Sequence, residues 1–178
     1  LAIFYFVFLG GEYLFDNMIA HYLSSAKVVV AQSGILGISG IGFLCYFQIQ
    51  RFITSKNRSG ALMGAVALGI VCIFMVQQHV SFAGTLSAGL ILFFLLGILG
   101  GAVHLMAAEL WVESRKLARY VGTAYGAGIL MQFINNNLVR QELVEAVILS
   151  VLLTVLAWML SRKKESADEE QCEASRLH

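Results

Sequence analysis

Two carboxylates four residues apart, Glu12 and Asp16, interrupt an otherwise apolar opening run. The i, i+4 spacing puts both on one face of a helix, with Asp16 about 6 Å further along the axis. An ionisable group inside a membrane span costs at least ~2.5 kcal/mol and is normally turned to a cavity or a partner. Two acids this close repel each other when both are charged, so the chemistry they suit is reversible protonation. His104, on a helix face shared with Gly97, Gly100, Gly101 and Ala108, is the second candidate. A small-residue face carrying one imidazole suggests a cavity wall and a group able to hand a proton on. Gln132 and Asn136, one helical turn apart, offer amides that donate and accept together and so can hold the polar parts of a solute. Cys45, Cys72 and Cys172 have no paired spacing of a metal or redox motif and read as free thiols, so neither a metal nor a cofactor is implied.

The elements that must position these groups follow from composition. The chain is 58% hydrophobic and 13% charged, against roughly 45–50% and about 25% in soluble domains. Its charges gather in short clusters between apolar runs at 2–22, 28–50, 60–76, 82–107, 117–134 and 143–160. Most of these approach the ~20 residues a spanning helix needs, and they lack the two-residue alternation of a membrane barrel. The expectation is an all-α membrane protein with a six-helix transmembrane bundle over 1–161. Residues 162–178, rich in charge and without apolar periodicity, are expected to form a disordered tail. The net charge of +1 leaves no footprint for nucleic acid.

Basic residues set the expected orientation. Arg51, Lys56 and Arg58 follow run 2, Arg115, Lys116 and Arg119 follow run 4, and Arg162, Lys163, Lys164 and Arg176 follow run 6. Of the 12 Lys and Arg, only Lys27 and Arg140 fall in the other connections. That asymmetry predicts both termini in the cytoplasm of a multi-pass cell-membrane protein. Glu109 and Glu113 sit beside the second basic cluster and read as part of a solvated ionic loop. Leu1 in place of an initiator Met predicts a fragment or a processed chain, and acids inside the first run argue against a removable signal peptide.

Glycines at helical spacing, among them Gly34, Gly37, Gly40 and Gly42 in the second run, allow close helix approach. Leu9-Gly10-Gly11 recurs as Leu99-Gly100-Gly101, in helices that run in opposite directions, as an inverted 3+3 repeat requires.

This layout of six helices, cytoplasmic ends and basic loops after helices 2 and 4 resembles one half of a major facilitator superfamily transporter. Gln50-Arg51 falls where that family's loop motif has Asp-Arg, and Arg119-Tyr120-Val121-Gly122, leading to Gly126 and Gly128, is similar to its Arg-Gly-rich start of helix 5. The chain has no proline, so the family's proline-bearing antiporter motif is missing. The resemblance implies a half bundle with a 3+3 inverted repeat, a small-molecule solute, proton coupling and a second six-helix half from a longer chain or a homodimer. Glu12, Asp16, His104, Gln132 and Asn136 would be the coupling and binding groups.

Two other readings are open. Gly37-Ile38-Ser39-Gly40 is similar to the Gly-x-Ser-Gly of rhomboid intramembrane proteases, with His104 two helices later. Helix rise, however, puts Ser39 ~18 Å and His104 ~33 Å from the outer ends of their helices. The third reading is a membrane sensor or interaction subunit on a transporter scaffold, with the acidic tail meeting a soluble partner.

Overall fold

In a computed structural model of the chain, residues 1–52, 55–110 and 114–176 are described, and the side chains of 52, 55–59, 110, 114, 115 and 163–176 lie outside the description. The regular structure among the described residues is helical throughout: α1 (Ala2–Ile19), α2 (Ser25–Phe52), α3 (Ser55–Gln78), α4 (Phe82–Leu110), α5 (Ser114–Leu138) and α6 (Glu142–Arg176). A backbone surrounded by lipid must satisfy its own hydrogen bonds, which apolar runs of this length do as helices.

Five helices are long and apolar enough to cross a membrane: Ala2–Ile19, Ser25–Arg51, Gly60–Gln78, Phe82–Glu109 and Glu142–Arg162. The fold is therefore that of an all-α, multi-pass membrane protein. The expected sixth span, α5, falls short because Lys116 and Arg119 enter its first turns and Gln132 and Asn135 to Asn137 its last ones. Helix α6 runs on to Arg176, where composition led to the expectation of a disordered tail. Lys, Arg, Glu and Ala dominate that stretch, and extending an existing helix avoids the cost of nucleating one. The acidic cluster of the tail, Glu113 and the basic residues at 56, 58 and 115 lie outside the described side chains.

The breaks after α1 and after α3 have local causes. Ser81 caps α4, its hydroxyl accepting from the Gly84 N–H at 3.1 Å. After α1 the chain tightens, with the N–H of Tyr22 donating to the Ile19 carbonyl at 3.0 Å. Between α3 and α4, His79 takes φ 35°, a left-handed conformation that costs a non-glycine residue about 1–2 kcal/mol. The Tyr22 hydroxyl donates to the carbonyl of that residue and ties the two connections together.

Helix α1 lies at the centre and packs on α3, α4, α5 and α6, while α2 packs most extensively on α4 and α3 on α4 and α6. The core is a continuous block of Val7, Leu14, Phe15 and Met18 from α1 with Ile73, Leu92, Phe93, Leu96, Leu149 and Leu153. Glycine sets the α2–α4 spacing: a Cβ on Gly42 would meet the Phe94 carbonyl, and one on Gly97 the Ser39 carbonyl. Val30, Leu44, Phe133, Val151 and Trp158 lie outward, as expected where the surrounding solvent is lipid tail.

Candidate functional site

Among the described residues, three groups of hydrogen-bonded polar side chains touch α1. The first is the face carrying Glu12 and Asp16. Both are only partly covered, Tyr13 beside them is 39% exposed, and Gly10, Gly11, Leu14 and Phe15 on the other faces are buried. The Gln32 amide of α2 donates to Glu12 Oε1 at 2.6 Å. Asp16 Oδ1 is buried and has no hydrogen-bond partner among the described residues. A buried carboxylate oxygen without a donor is costly, and a proton or a bound polar group removes the cost.

The second place joins α5 and α6 against α1. Gln132 Nε2 donates to Asn136 Oδ1 at 2.6 Å and to Glu145 Oε1 at 3.3 Å, and Glu145 is 4% exposed. The amide oxygen of Gln132 lies over Gly10, where a Cβ would be 2.9 Å from it and 2.6 Å from Leu149 Cδ2. A side chain at position 10 would push the ends of Gln132 and Leu149 away from α1. Glu145 is absent from the expected site, although an acid three residues into an apolar run was a readable signal.

The third place lies near the start of α1. The Tyr5 hydroxyl bonds His104 Nε2 at 2.8 Å, and His104 Nδ1 bonds the Gly100 carbonyl at 2.7 Å. A carbonyl can only accept, so Nδ1 carries the proton, Nε2 is the acceptor and Tyr5 donates. Phe4, Tyr5 and Phe43 surround the imidazole with ring centres 5.7–5.8 Å away. The small-residue face of α4 is therefore a helix contact and not the expected cavity wall. Gly97 abuts Ser39, Gly100 abuts the Phe4 ring and Gly101 abuts Tyr46.

The structure thus brings Gln132 and Asn136 together, as their spacing implies, and keeps Glu12 and Asp16 on one face of α1. It leaves His104 apart from the two acids, since its partner Tyr5 lies seven residues, or ~10 Å of helix rise, from Glu12. Ser39 donates to the Leu36 carbonyl at 2.7 Å, so the hydroxyl of the Gly-x-Ser-Gly stretch and the His104 ring are engaged with different partners. No family model, curated protein or solved structure matches this chain. The functional reading accordingly stands on these residues alone. Cys45 and Cys72 are free thiols.

The cover on the two flanks of α1 is uneven. Gly34, Gly37 and Gly40 of α2, Gly60 and Gly64 of α3, and Gly122 and Gly126 of α5 have no atom beyond their own helix backbone within 4 Å of where a side chain would begin. Of these helices, α2 adjoins the acidic face through Gln32, and α5 meets α1 nearer its start, where the Tyr125 ring lies 5.1 Å from that of Tyr5.

Proposed function

We propose that this chain is one half of a secondary transporter of the major facilitator type, moving a small polar solute together with protons. The observation that carries the reading is the unpartnered, buried Oδ1 of Asp16, one turn from the Gln32-held carboxylate of Glu12 inside a membrane span. Binding a proton there neutralises a charge that is expensive to bury, and releasing it on the other side resets the site. Gln132, Asn136 and Glu145 form the adjacent polar node for the solute, and Tyr5–His104 offers an exit for the proton toward the start of α1, the cytoplasmic end in the orientation expected from the basic residues.

A 3+3 inverted repeat would exchange α1 with α4, α2 with α5 and α3 with α6; the α2–α4 and α3–α4 contacts have counterparts in α5–α1 and α6–α1, while α1–α2 and α1–α3 have none of comparable extent. Alternating access in such folds rocks one six-helix bundle against another around a site at the bilayer midplane. The uncovered glycine faces of α2 and α5 are where the second bundle would close over the acids.

The test is a pair of isosteric variants, Glu12→Gln and Asp16→Asn, in vesicles carrying the protein with its second half and an internal pH-sensitive dye. A panel of sugars, amino acids and organic acids is screened for solute-dependent proton entry. For the solute that scores, the variants are expected to keep counterflow exchange and lose accumulation driven by the pH gradient, because an amide keeps the shape and cannot titrate. Unchanged gradient-driven uptake in both variants, with the protein folded, would make the acids structural.

A further inference from the structure

We propose that Glu145 is a proton-binding site, whose carboxyl carries a proton while α1, α5 and α6 are packed as they are here and gives it up when the end of α5 and the start of α6 part. The residue lies in the first turn of α6 and is 4% exposed. It is a different acid, on a different helix, from the pair on α1. As a site for one proton it stands without the transport reading, and only its part in a transport cycle rests on that reading.

The first observation is how little the surroundings offer to a charge. A buried carboxylate stays ionised where a cation or several N–H donors surround it. Among the described residues Glu145 receives one side-chain donor, Gln132 Nε2, at 3.3 Å, and that same nitrogen makes a shorter bond of 2.6 Å to Asn136 Oδ1. Gln132 is itself 6% exposed, and its Oε1 is buried without a partner. The node therefore has acceptors to spare and is short of hydrogens. A proton on Glu145 removes the charge and adds a donor, and the remaining carbonyl oxygen still accepts from the amide.

The second observation is that no element packed against Glu145 brings it a positive charge. Helix α6 packs on α1 and α3 and meets α5 through Gln132. The titratable side chains of α1 are Tyr5, Glu12, Tyr13 and Asp16, and α3 offers Cys72 among its described side chains. On α5, Tyr120 and Tyr125 are exposed, and Lys116 and Arg119 lie ~20 Å or more of helix rise from Gln132. Arg162 is ~25 Å along α6. Arg140, in the connection before α6, is exposed and makes no ion pair with the acid.

Glu142, three residues earlier on the same side of α6, is partly exposed and adds a negative charge to that turn. A helix start favours an anion, but this help is far smaller than the cost of a buried charge without a cation, and Glu142 is the acid placed to use it. Access to Glu145 is from this end of the bundle, one turn from the α5–α6 connection. When the two helices part there, water solvates the carboxyl, the O–H bond breaks with its electron pair left on oxygen, and the proton passes to water. Repacking takes one proton back. In the orientation expected from the basic residues this is the outer end, so closing it captures a proton from outside. In the proposed transport cycle Glu145 is then a second proton carrier beside Asp16.

The experiment is infrared spectroscopy of the full chain in lipid vesicles at neutral pH, reading the carbonyl stretch that only a protonated carboxyl gives. Solvated acids are ionised at this pH and stay silent. The background carries Glu12→Gln and Asp16→Asn, which removes the two acids of α1. The expected result is one protonated carboxyl per chain, whose band moves when glutamate is labelled with heavy carbon and is lost on adding Glu145→Gln. No such band in the folded background protein, a band that ignores the glutamate label, or a band that survives in folded Glu145→Gln would each overturn the proposal. Circular dichroism checks folding. If Glu145→Gln does not fold, Glu145→Asp decides: the band should then answer to labelled aspartate instead of labelled glutamate, and a band still tied to glutamate would refute the assignment. None of these readings needs a solute, so a failed transport assay leaves the proton site standing, and failure here leaves Asp16 as the coupling acid.

Discussion

Replacing Gly97 by alanine tests how the bundle is held together, because the same change at Gly37 supplies its own control. A Cβ on Gly97 would stand 2.9 Å from the carbonyl carbon of Ser39 and 3.0 Å from the backbone nitrogen of Phe43. These are backbone atoms, so no side chain can turn aside and α2 must move off α4 as a unit. Overpacking of this kind costs about 1–3 kcal/mol, while alanine in place of glycine in a helix returns ~1 kcal/mol. Gly97→Ala should therefore lose between roughly 0 and 2 kcal/mol. At Gly37 nothing lies within 4 Å, so Gly37→Ala keeps the propensity gain and should be neutral or stabilising by up to about 1 kcal/mol. The difference between the two variants isolates the steric part, ~1–3 kcal/mol. Unfolding by sodium dodecyl sulfate in mixed micelles, followed by far-ultraviolet circular dichroism, measures both. Equal shifts for the two variants would mean that α2 and α4 do not meet through their backbones, and the α2–α4 contact described above would fall. Adding Gly42→Ala to Gly97→Ala should cost less than the sum of the two, since one separation of the helices relieves both clashes.

Removing the buried amide–acid contact tests the node on α5 and α6: a double-mutant cycle of Gln132→Leu and Glu145→Leu should show a coupling of about 0.6 kcal/mol, and at most about 1.7, as for hydrogen bonds between membrane helices. Additive losses would show that the 3.3 Å contact contributes nothing. Orientation is read by cysteine scanning in a background lacking Cys45, Cys72 and Cys172: cysteine at Ser25 or Gln141 should react with an impermeant reagent applied outside intact cells, and cysteine at Ser55 or Arg115 should not. The reverse labelling pattern would put α1 in the membrane the other way up.

The apolar runs were legible because bilayer thickness imposes a length that composition reveals directly, and all six runs lie within helices apart from the first, which stops at Ile19 instead of residue 22. Long-range partners were not legible. The helical period placed Glu12 and Asp16 on one face, but nothing local says that Gln32, 20 positions away, meets Glu12. The imidazoles of His21 and His79 had no signal at all, since only the packing of two connections brings them together. Glu145 could have been found by the same argument that found Glu12, an acid within a span.

Glycine gives the clearest case of a pattern whose meaning the fold decides. Gly37, Gly40 and Gly42 lie on one helix, yet Gly42 receives the backbone of α4 and the other two receive nothing. Likewise on α5, Gly128 seats Tyr5 while Gly122 and Gly126 stay uncovered. In the sequence all six look alike, as small residues suited to close approach. The fold divides them into those used within the bundle and those left over, and Gly60 and Gly64 of α3 belong with the second group. On α2, Gly37 and Gly34 lie well round the helix from Gln32, the residue that meets Glu12, so an uncovered glycine marks a helix surface without a protein neighbour and not by itself a flank of the acids.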